Sequence, residues 1–260
     1  MSSPSPMIPV PMPAFTAFDG LGRPPAQPQT SRDIQAALVP LVSYHGSRME
    51  AYGQTMPKDD VGGDLVDLVA AGRDPVAYVA DVSGHGVRAA LLMGMVKTAM
   101  RYGLHLGQPL TKLLDQMNCV LPAVKEAHMF ATLAALRFDG TGEAEYISAG
   151  HVPLLHYQRR RQNVARYSMS QFPLGLFEDA DYASCRIPYE RGDLFLLVTD
   201  GVVETGDDRD ADSGLEVLAQ ILMSFAERPL PEVFDVMRAA ISGHGIEAHD
   251  DQTVLLLRAQ

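Results

Sequence analysis

The chain has 260 residues, 47% of them hydrophobic and 20% charged, with a formal net charge of −11. This suits one large globular domain or two small ones. It argues against nucleic-acid binding, because the only basic run is Arg159-Arg160-Arg161, read as a solvated hairpin tip.

Residues 1–30 are rich in Pro and Ser (PSP, PVPMP, RPPAQPQ) and read as a disordered or loosely packed arm, too poor in contiguous apolar surface to offset its chain entropy. The arm lacks a basic n-region and its prolines interrupt any apolar core, so no signal peptide is expected. No uncharged apolar run approaches roughly 18 residues, so no membrane span is expected either. Ordered structure is expected from Ser31, the N-cap of a short helix that Pro40 stops.

Three strand-like runs follow, RMEAYGQTM, GDLVDLVA and PVAYVADV, with turn signals at Lys58-Asp59-Asp60 and Gly72-Arg73-Asp74-Pro75. Two helical patterns come next, 87–103 and 108–124; their methionines read as core filler. Strands return with MFATLAALRF, GEAEYISAGHVPLLHY, ASCRIPYE and GDLFLLVTDG. Two more helices are expected within 214–241, then a last strand, QTVLLLRA. With no repeated β-α-β alternation, the order predicts an α+β fold, helices segregated on mainly antiparallel sheets. Cys119 and Cys185 stand far apart in no CxxC pattern and read as half-buried, reduced thiols of a cytoplasmic protein.

One pattern recurs. The run Ala77-Tyr78-Val79-Ala80 ends on Asp81 and breaks into Ser83-Gly84-His85-Gly86. Asp200 ends LFLLVTDG, Asp64 sits in VGGDLVDLV, and Asp250 and Asp251 precede the last strand. Turn chemistry accounts for one Asp beside Gly. It does not account for four strands that each carry one, since a carboxylate at the end of a buried strand is costly unless paired or bound to a metal. Asp without a His or Cys pattern points to hard cations, Mg²⁺ or Mn²⁺. Clustered carboxylates that repel one another suit two such ions and phosphate-ester chemistry. DVSGHG is not a dinucleotide fingerprint, and Ser83 with His85 forms no nucleophile elbow. His85, His151 and His249 read as neighbours of the site, not ligands.

Taken in order, VGGDLVDLV, ADVSGHGVRAALLMG, ATLAALRFDGTGEAEYISAGHVPLL, PLGLF, GDLFLLVTDGVVET and HDDQTVLLLR resemble the SpoIIE/RsbU-type phosphatases, the bacterial branch of the metal-dependent type 2C (PPM) serine/threonine phosphatase superfamily. The resemblance runs from about Ile34 to the C-terminus, making 31–260 the phosphatase domain. It implies an α-β-β-α sandwich, two antiparallel sheets flanked by helix pairs. It also implies two Mn²⁺ or Mg²⁺ ions. By motif, Asp81 would bridge them and the Val82 carbonyl would face one. Asp64 would hold the second ion, and Asp200 and Asp250 would complete the first. Asp251 stands where many relatives carry Asn. Ser83, Gly84, His85 and Lys58, with Asp251, are expected beside the ligands. The eukaryotic enzymes carry a histidine two residues after the bridging Asp, where this chain has Ser83; their phosphate-binding arginine has no counterpart before Asp64, Lys58 being the nearest cation.

The implied activity is hydrolysis of phosphoserine or phosphothreonine by in-line attack of water, with no covalent phosphoenzyme. The implied substrate is a phosphorylated STAS-domain anti-anti-sigma-type regulator in partner-switching signalling. Relatives often carry an attached sensor domain. Only about 30 residues precede the domain here, so an activating partner or a homodimer is expected to do the sensing. Two alternatives stand beside this reading, a hydrolase of a small phosphate ester and a catalytically silent binding module of the same fold. Loss of a metal Asp would mark the silent module, and none is lost.

Overall fold

The computed structural model describes residues 30–70, 74–204, 211–242 and 249–260. The predicted arm and the Gly72-Arg73 turn lie outside them.

Helix α1 (Ser31–Leu38) is capped by Thr30, not Ser31. Thr30 Oγ1 accepts from the Asp33 amide (3.2 Å) and the Asp33 carboxylate accepts from the Thr30 amide (3.1 Å). A cap at Ser31 would put Ile34 at the reciprocating position, and Ile34 has nothing to return. Strand β1 (Val42–His45), unforeseen in the sequence, pairs with β2 (Met49–Met56). Strands β3 (Leu65–Val69) and β4 (Val76–Val82) form the next antiparallel pair. Helices α2 (Gly86–His105) and α3 (Leu110–Val120) follow, the latter tightening into a 3-10 turn at Leu121–Ala123.

Beyond these come β5 (Ala131–Phe138), β6 (Glu143–Ala149), β7 (Leu154–Gln158), β8 (Asn163–Tyr167), β9 (Cys185–Pro188) and β10 (Leu194–Val198). Helix α4 (Asp200–Val203) is one short turn; α5 (Ala211–Phe225) and α6 (Leu230–Ser242) are longer, and β11 (Gln252–Ala259) closes the chain. The run read as a single strand stretch, 142–157, is thus two strands. Gly150, at φ +63°, breaks it, and its missing Cβ leaves room for Pro173.

Every strand pairing is antiparallel. One sheet has the order β1-β2-β11-β10-β7-β8 and the other β3-β4-β5-β6-β9. The chain therefore changes sheet between β6 and β7. Helices α2 and α3 pack on the five-stranded sheet, α5 and α6 on the six-stranded one. This is the expected α-β-β-α sandwich. Each sheet has the other on one face and helices on the other, so its central strands are covered on both faces: β4, β10 and β11 bury nearly every residue. The two apolar clusters follow this layering, one between the sheets and under α2 and α3, the other under α5 and α6.

Helix α2 is clamped to its sheet by an ion pair whose carboxylate is buried. Asp67 on β3 accepts from Arg101 Nε and Nη2, both at 2.6 Å, and from the Tyr78 hydroxyl at 2.8 Å, with Lys97 Nζ at 3.4 Å. Lys97 also donates to the Leu38 carbonyl at the end of α1 (2.7 Å). The Arg159–Arg161 run lies at the tip of the β7–β8 hairpin, where Arg159 pairs with Glu227. Cys185 is half-buried as expected, whereas Cys119 is exposed; both are free thiols.

Candidate active site at the seam of the two sheets

Five acidic residues from four strand ends meet where the two sheets adjoin. Asp81 is in β4 and Asp64 directly precedes β3, both in the five-stranded sheet; Asp200 follows β10, and Asp250 and Asp251 precede β11, in the six-stranded sheet. Asp200, read as the end of its strand, lies two residues past the strand's last residue, Val198, and opens α4; its Oδ1 accepts from the Gly201 amide (2.8 Å).

Asp64 is buried and crosses the seam. Its Oδ2 accepts from the hydroxyls of Thr199 (2.8 Å), beside β10, and Thr253 (2.6 Å), in β11. The Thr199 hydroxyl in turn accepts from the Thr253 amide (3.0 Å), and the Thr253 hydroxyl shares a hydrogen bond with Thr55 on β2 (2.9 Å). This threonine set was missed in the sequence. Its signal was there, in the Thr of TDG and of DDQT.

Asp250 and Asp251 separate cleanly. Asp251 is buried and spent on backbone: Oδ1 accepts from the Lys58 amide and Oδ2 from the Gly63 amide, both at 2.8 Å. Gly62 is required there, since a Cβ would fall 2.0 Å from Asp251 Oδ2. Asp250 is exposed, accepts among the described residues from its neighbour's amide (2.8 Å), and presses electrostatically on Asp81 and Asp200. Lys58 donates its ammonium to the His249 carbonyl (2.7 Å), so it fastens the 249–251 loop.

Ser83 is also structural. Its amide donates to the Phe130 carbonyl (3.0 Å) and its hydroxyl accepts from the Phe130 amide (2.9 Å), closing the β4–β5 ladder. Gly84 and Gly86 hold φ of +93° and +74°, the turn that frees the chain from β4 into α2, and His85 between them caps α2 without a side-chain bond. His151 is buried, its Nδ1 2.7 Å from the Thr132 hydroxyl, and Thr132 stands opposite Asp81 in register. Burial lowers the pKa of His151 to about 4, leaving it neutral. Gln35 of α1 reaches the same corner, donating to the Gly62 carbonyl (3.3 Å).

The acids repel one another. Burial, then the charges of Asp200, Asp250 and Asp251, push Asp81 up to about 7. Burial and Asp81 push Asp64 well up against its two hydroxyl bonds, and burial with Asp250 raises Asp200. Such a set is relieved by cations among the carboxylates. The donors fit hard divalent ions, being all oxygen, with the Val82 carbonyl kept open by Gly63, whose Cβ would lie 2.5 Å from it. Among the described residues no three acidic, His or Cys side chains close into a ready cage. Mg²⁺ in particular favours such an open arrangement, retaining water and taking one or two carboxylates with substrate phosphate.

Comparison with known proteins agrees. The sequence model of the stage II sporulation protein E (SpoIIE) family matches residues 72–260. The chain is 26% identical over 234 residues to phosphoserine phosphatase RsbU of Bacillus subtilis (strain 168), covering 88% of this chain and 69% of RsbU. The structure of the RsbU and RsbW domains of a Mycobacterium tuberculosis protein superposes with a TM-score of 0.72 at 25% identity, covering 85% of this chain and 62% of that one. The PP2C phosphatase domain of the cell fate determinant SpoIIE from Bacillus subtilis, solved with a fragment of its regulatory domain, gives 0.68 at 19% identity, covering 83% and 64%, a likeness of fold. This chain thus spans 62–69% of the length of these three.

Proposed function

Since the chain belongs to the SpoIIE family of metal-dependent phosphatases, we propose that it hydrolyses phosphoserine or phosphothreonine on a regulatory protein, with Asp81 and Asp200 at the centre of the chemistry. Residues 31–260 form the catalytic domain and residues 1–30 an appended arm. The reading rests above all on one observation, the carboxylates of Asp64, Asp81, Asp200 and Asp250 brought from four strand ends to one seam, where Asp81 raises the pKa of Asp64, Asp200 and Asp250 raise that of Asp81, and Asp250 raises that of Asp200.

Asp64, Asp81, Asp200 and Asp250, with the Val82 carbonyl, would hold two Mn²⁺ or Mg²⁺ ions. Bound there, the ions would supply an activated water and charge neutralisation for in-line attack at phosphorus. The rest is the work of the chain. Thr199 and Thr253 fix the Asp64 carboxylate through Oδ2. Asp251 fixes the loop that carries Gly63, and so the open face of Val82. The Ser83–Phe130 pair and the clamp of Asp67 on Arg101 hold the turn after Asp81 between a rigid strand and a rigid helix.

As substrate we take what the motif resemblance implies, a phosphorylated STAS-domain regulator in a partner-switching pathway, in the cytoplasm, with an activating partner or a second copy setting the activity. No helix is long and apolar enough to cross a membrane among the described residues. The test is dephosphorylation with Mn²⁺ of a panel of phosphoproteins beside a small aryl phosphate, for wild type and Asp81→Asn. The wild type is expected to release phosphate from serine or threonine and the variant from neither substrate. Turnover of the aryl phosphate alone would favour a small-ester hydrolase, and no turnover of either would favour a silent module.

A further inference from the structure

The connection from β8 to β9, residues 168–184, holds the PLGLF motif, for which the phosphatase chemistry has no use. It has almost no regular structure, yet it is firmly anchored. Leu174 pairs with Ala131 by two backbone hydrogen bonds (3.0 and 2.7 Å). Asn118 of α3 donates to the Phe177 and Glu178 carbonyls (2.9 and 3.3 Å) and accepts from the Gly175 amide (2.7 Å). Asp115 takes the Tyr182 amide (3.2 Å), and Gln171 bonds Ala183 in both directions.

A loop so fixed nonetheless turns apolar side chains outward. Phe172 is 56% exposed and Phe177 50%. Their rings meet edge to face, centroids 4.5 Å apart. They line a cavity of about 440 Å³ whose rim carries Glu178, Asp179 and Asp181. None of these carboxylates has a hydrogen-bond or ion-pair partner among the described residues, and all three residues are exposed. An aromatic pair held rigid in water, ringed by one sign of charge, is the composition of a binding surface.

Its position points to the occupant. Ala131 lies between Leu174 and Val82, paired with both. Two strand spacings put Leu174 roughly 10 Å from Val82, the residue after Asp81. That is the reach of about three residues of extended peptide.

We propose that Phe172 and Phe177, with Glu178, Asp179 and Asp181, dock the substrate segment flanking the phosphorylated residue, taking an apolar side chain next to Lys or Arg. This rests on the phosphoprotein reading above. The occupant is basic because the rim is acidic and unpaired, and apolar because the floor is two phenyl rings.

The experiment compares two phosphoserine peptides, one with Leu and Arg at the flanking positions and one with Gly and Glu, beside a small aryl phosphate, all with Mn²⁺. Two variants are used, Phe172→Ala with Phe177→Ala, and Glu178→Gln with Asp179→Asn and Asp181→Asn. The three carboxylates have no partner among the described residues and the two rings are half exposed, so both variants should fold. The wild type should prefer the Leu/Arg peptide by at least about tenfold in kcat/KM, the size of one good contact. Both variants should lose that preference through KM and keep aryl phosphate turnover. An unchanged preference overturns the docking surface alone, and so does an equal loss on the aryl phosphate, which would make the loop a support of the site. Aryl phosphate turnover without turnover of either peptide overturns the phosphoprotein reading and the proposal with it.

Discussion

Asp81 stands among the other carboxylates of the site, and its energetics follow from its place. In the metal-free protein its pKa is raised from 3.8 to about 7, by burial and then by Asp200, Asp250 and Asp251. The folded state thus holds a proton that the unfolded state releases near pH 4. The sign follows: this group's contribution is intact below about pH 4 and is lost as pH rises through 7. The metal-free protein should therefore melt at a lower temperature at pH 8 than at pH 5, the loss of stability being on the order of a few kcal/mol. Mn²⁺ should restore the loss. In Asp81→Asn the pH dependence should flatten and phosphatase activity vanish while the fold remains. Melting curves in chelator and in Mn²⁺ test this, and a variant as pH-sensitive as the wild type would place the repulsion elsewhere.

At the scale of elements, α2 links the site to the rest of the fold, since it begins where the Asp81 turn ends. Its glycines differ in kind. Gly103 packs against α3, where a Cβ would come 2.3 Å from Leu113 Cδ1, and Gly107 sits at φ +69° in the turn after the helix. At Gly94 a Cβ would meet nothing within 4 Å. Gly94→Ala should therefore stabilise the protein by about 1 kcal/mol through helix propensity and a less flexible unfolded chain. Gly103→Ala should destabilise it unless Leu113 turns aside. Urea unfolding distinguishes the two. Aryl phosphate turnover is the second readout: a more stable but slower Gly94→Ala enzyme would show that catalysis uses flexibility in α2.

Over the whole molecule, the site exists only when the two sheets dock. Asp64 belongs to one sheet and both its threonine partners to the other; the Asp251–Gly63 bond crosses the same seam. Metal binding and the sandwich should thus be lost together in unfolding. The Pro/Ser-rich composition of residues 1–29 is that of an appended arm, and Thr30 begins the capping box of α1. A chain starting at Thr30 should keep wild-type aryl phosphate turnover, whereas starts beyond Asp33 should cost stability through loss of the cap, on the order of 1 kcal/mol. A truncation at Thr30 that loses turnover would mean that the Pro/Ser-rich arm completes the site.

Much of this was legible in the sequence because the signals are local. Apolar runs marked the central strands, and Asp beside Gly marked the strand ends that carry the site. Helix pairs separated by strands marked the layering. What tertiary structure alone decided concerns direction and distant partners. Asp250 and Asp251 are adjacent in sequence, yet one faces the cluster while the other turns to amides 188 and 193 residues away, at Gly63 and Lys58. Ser83, expected only as a neighbour of the ligands, is a backbone staple. The switch of sheets between Ala149 and Leu154 left only Gly150 and Pro153 as its trace. In extended chain a single step reverses which face a side chain takes, and the pairing that chooses that face lies on another strand, far along the chain.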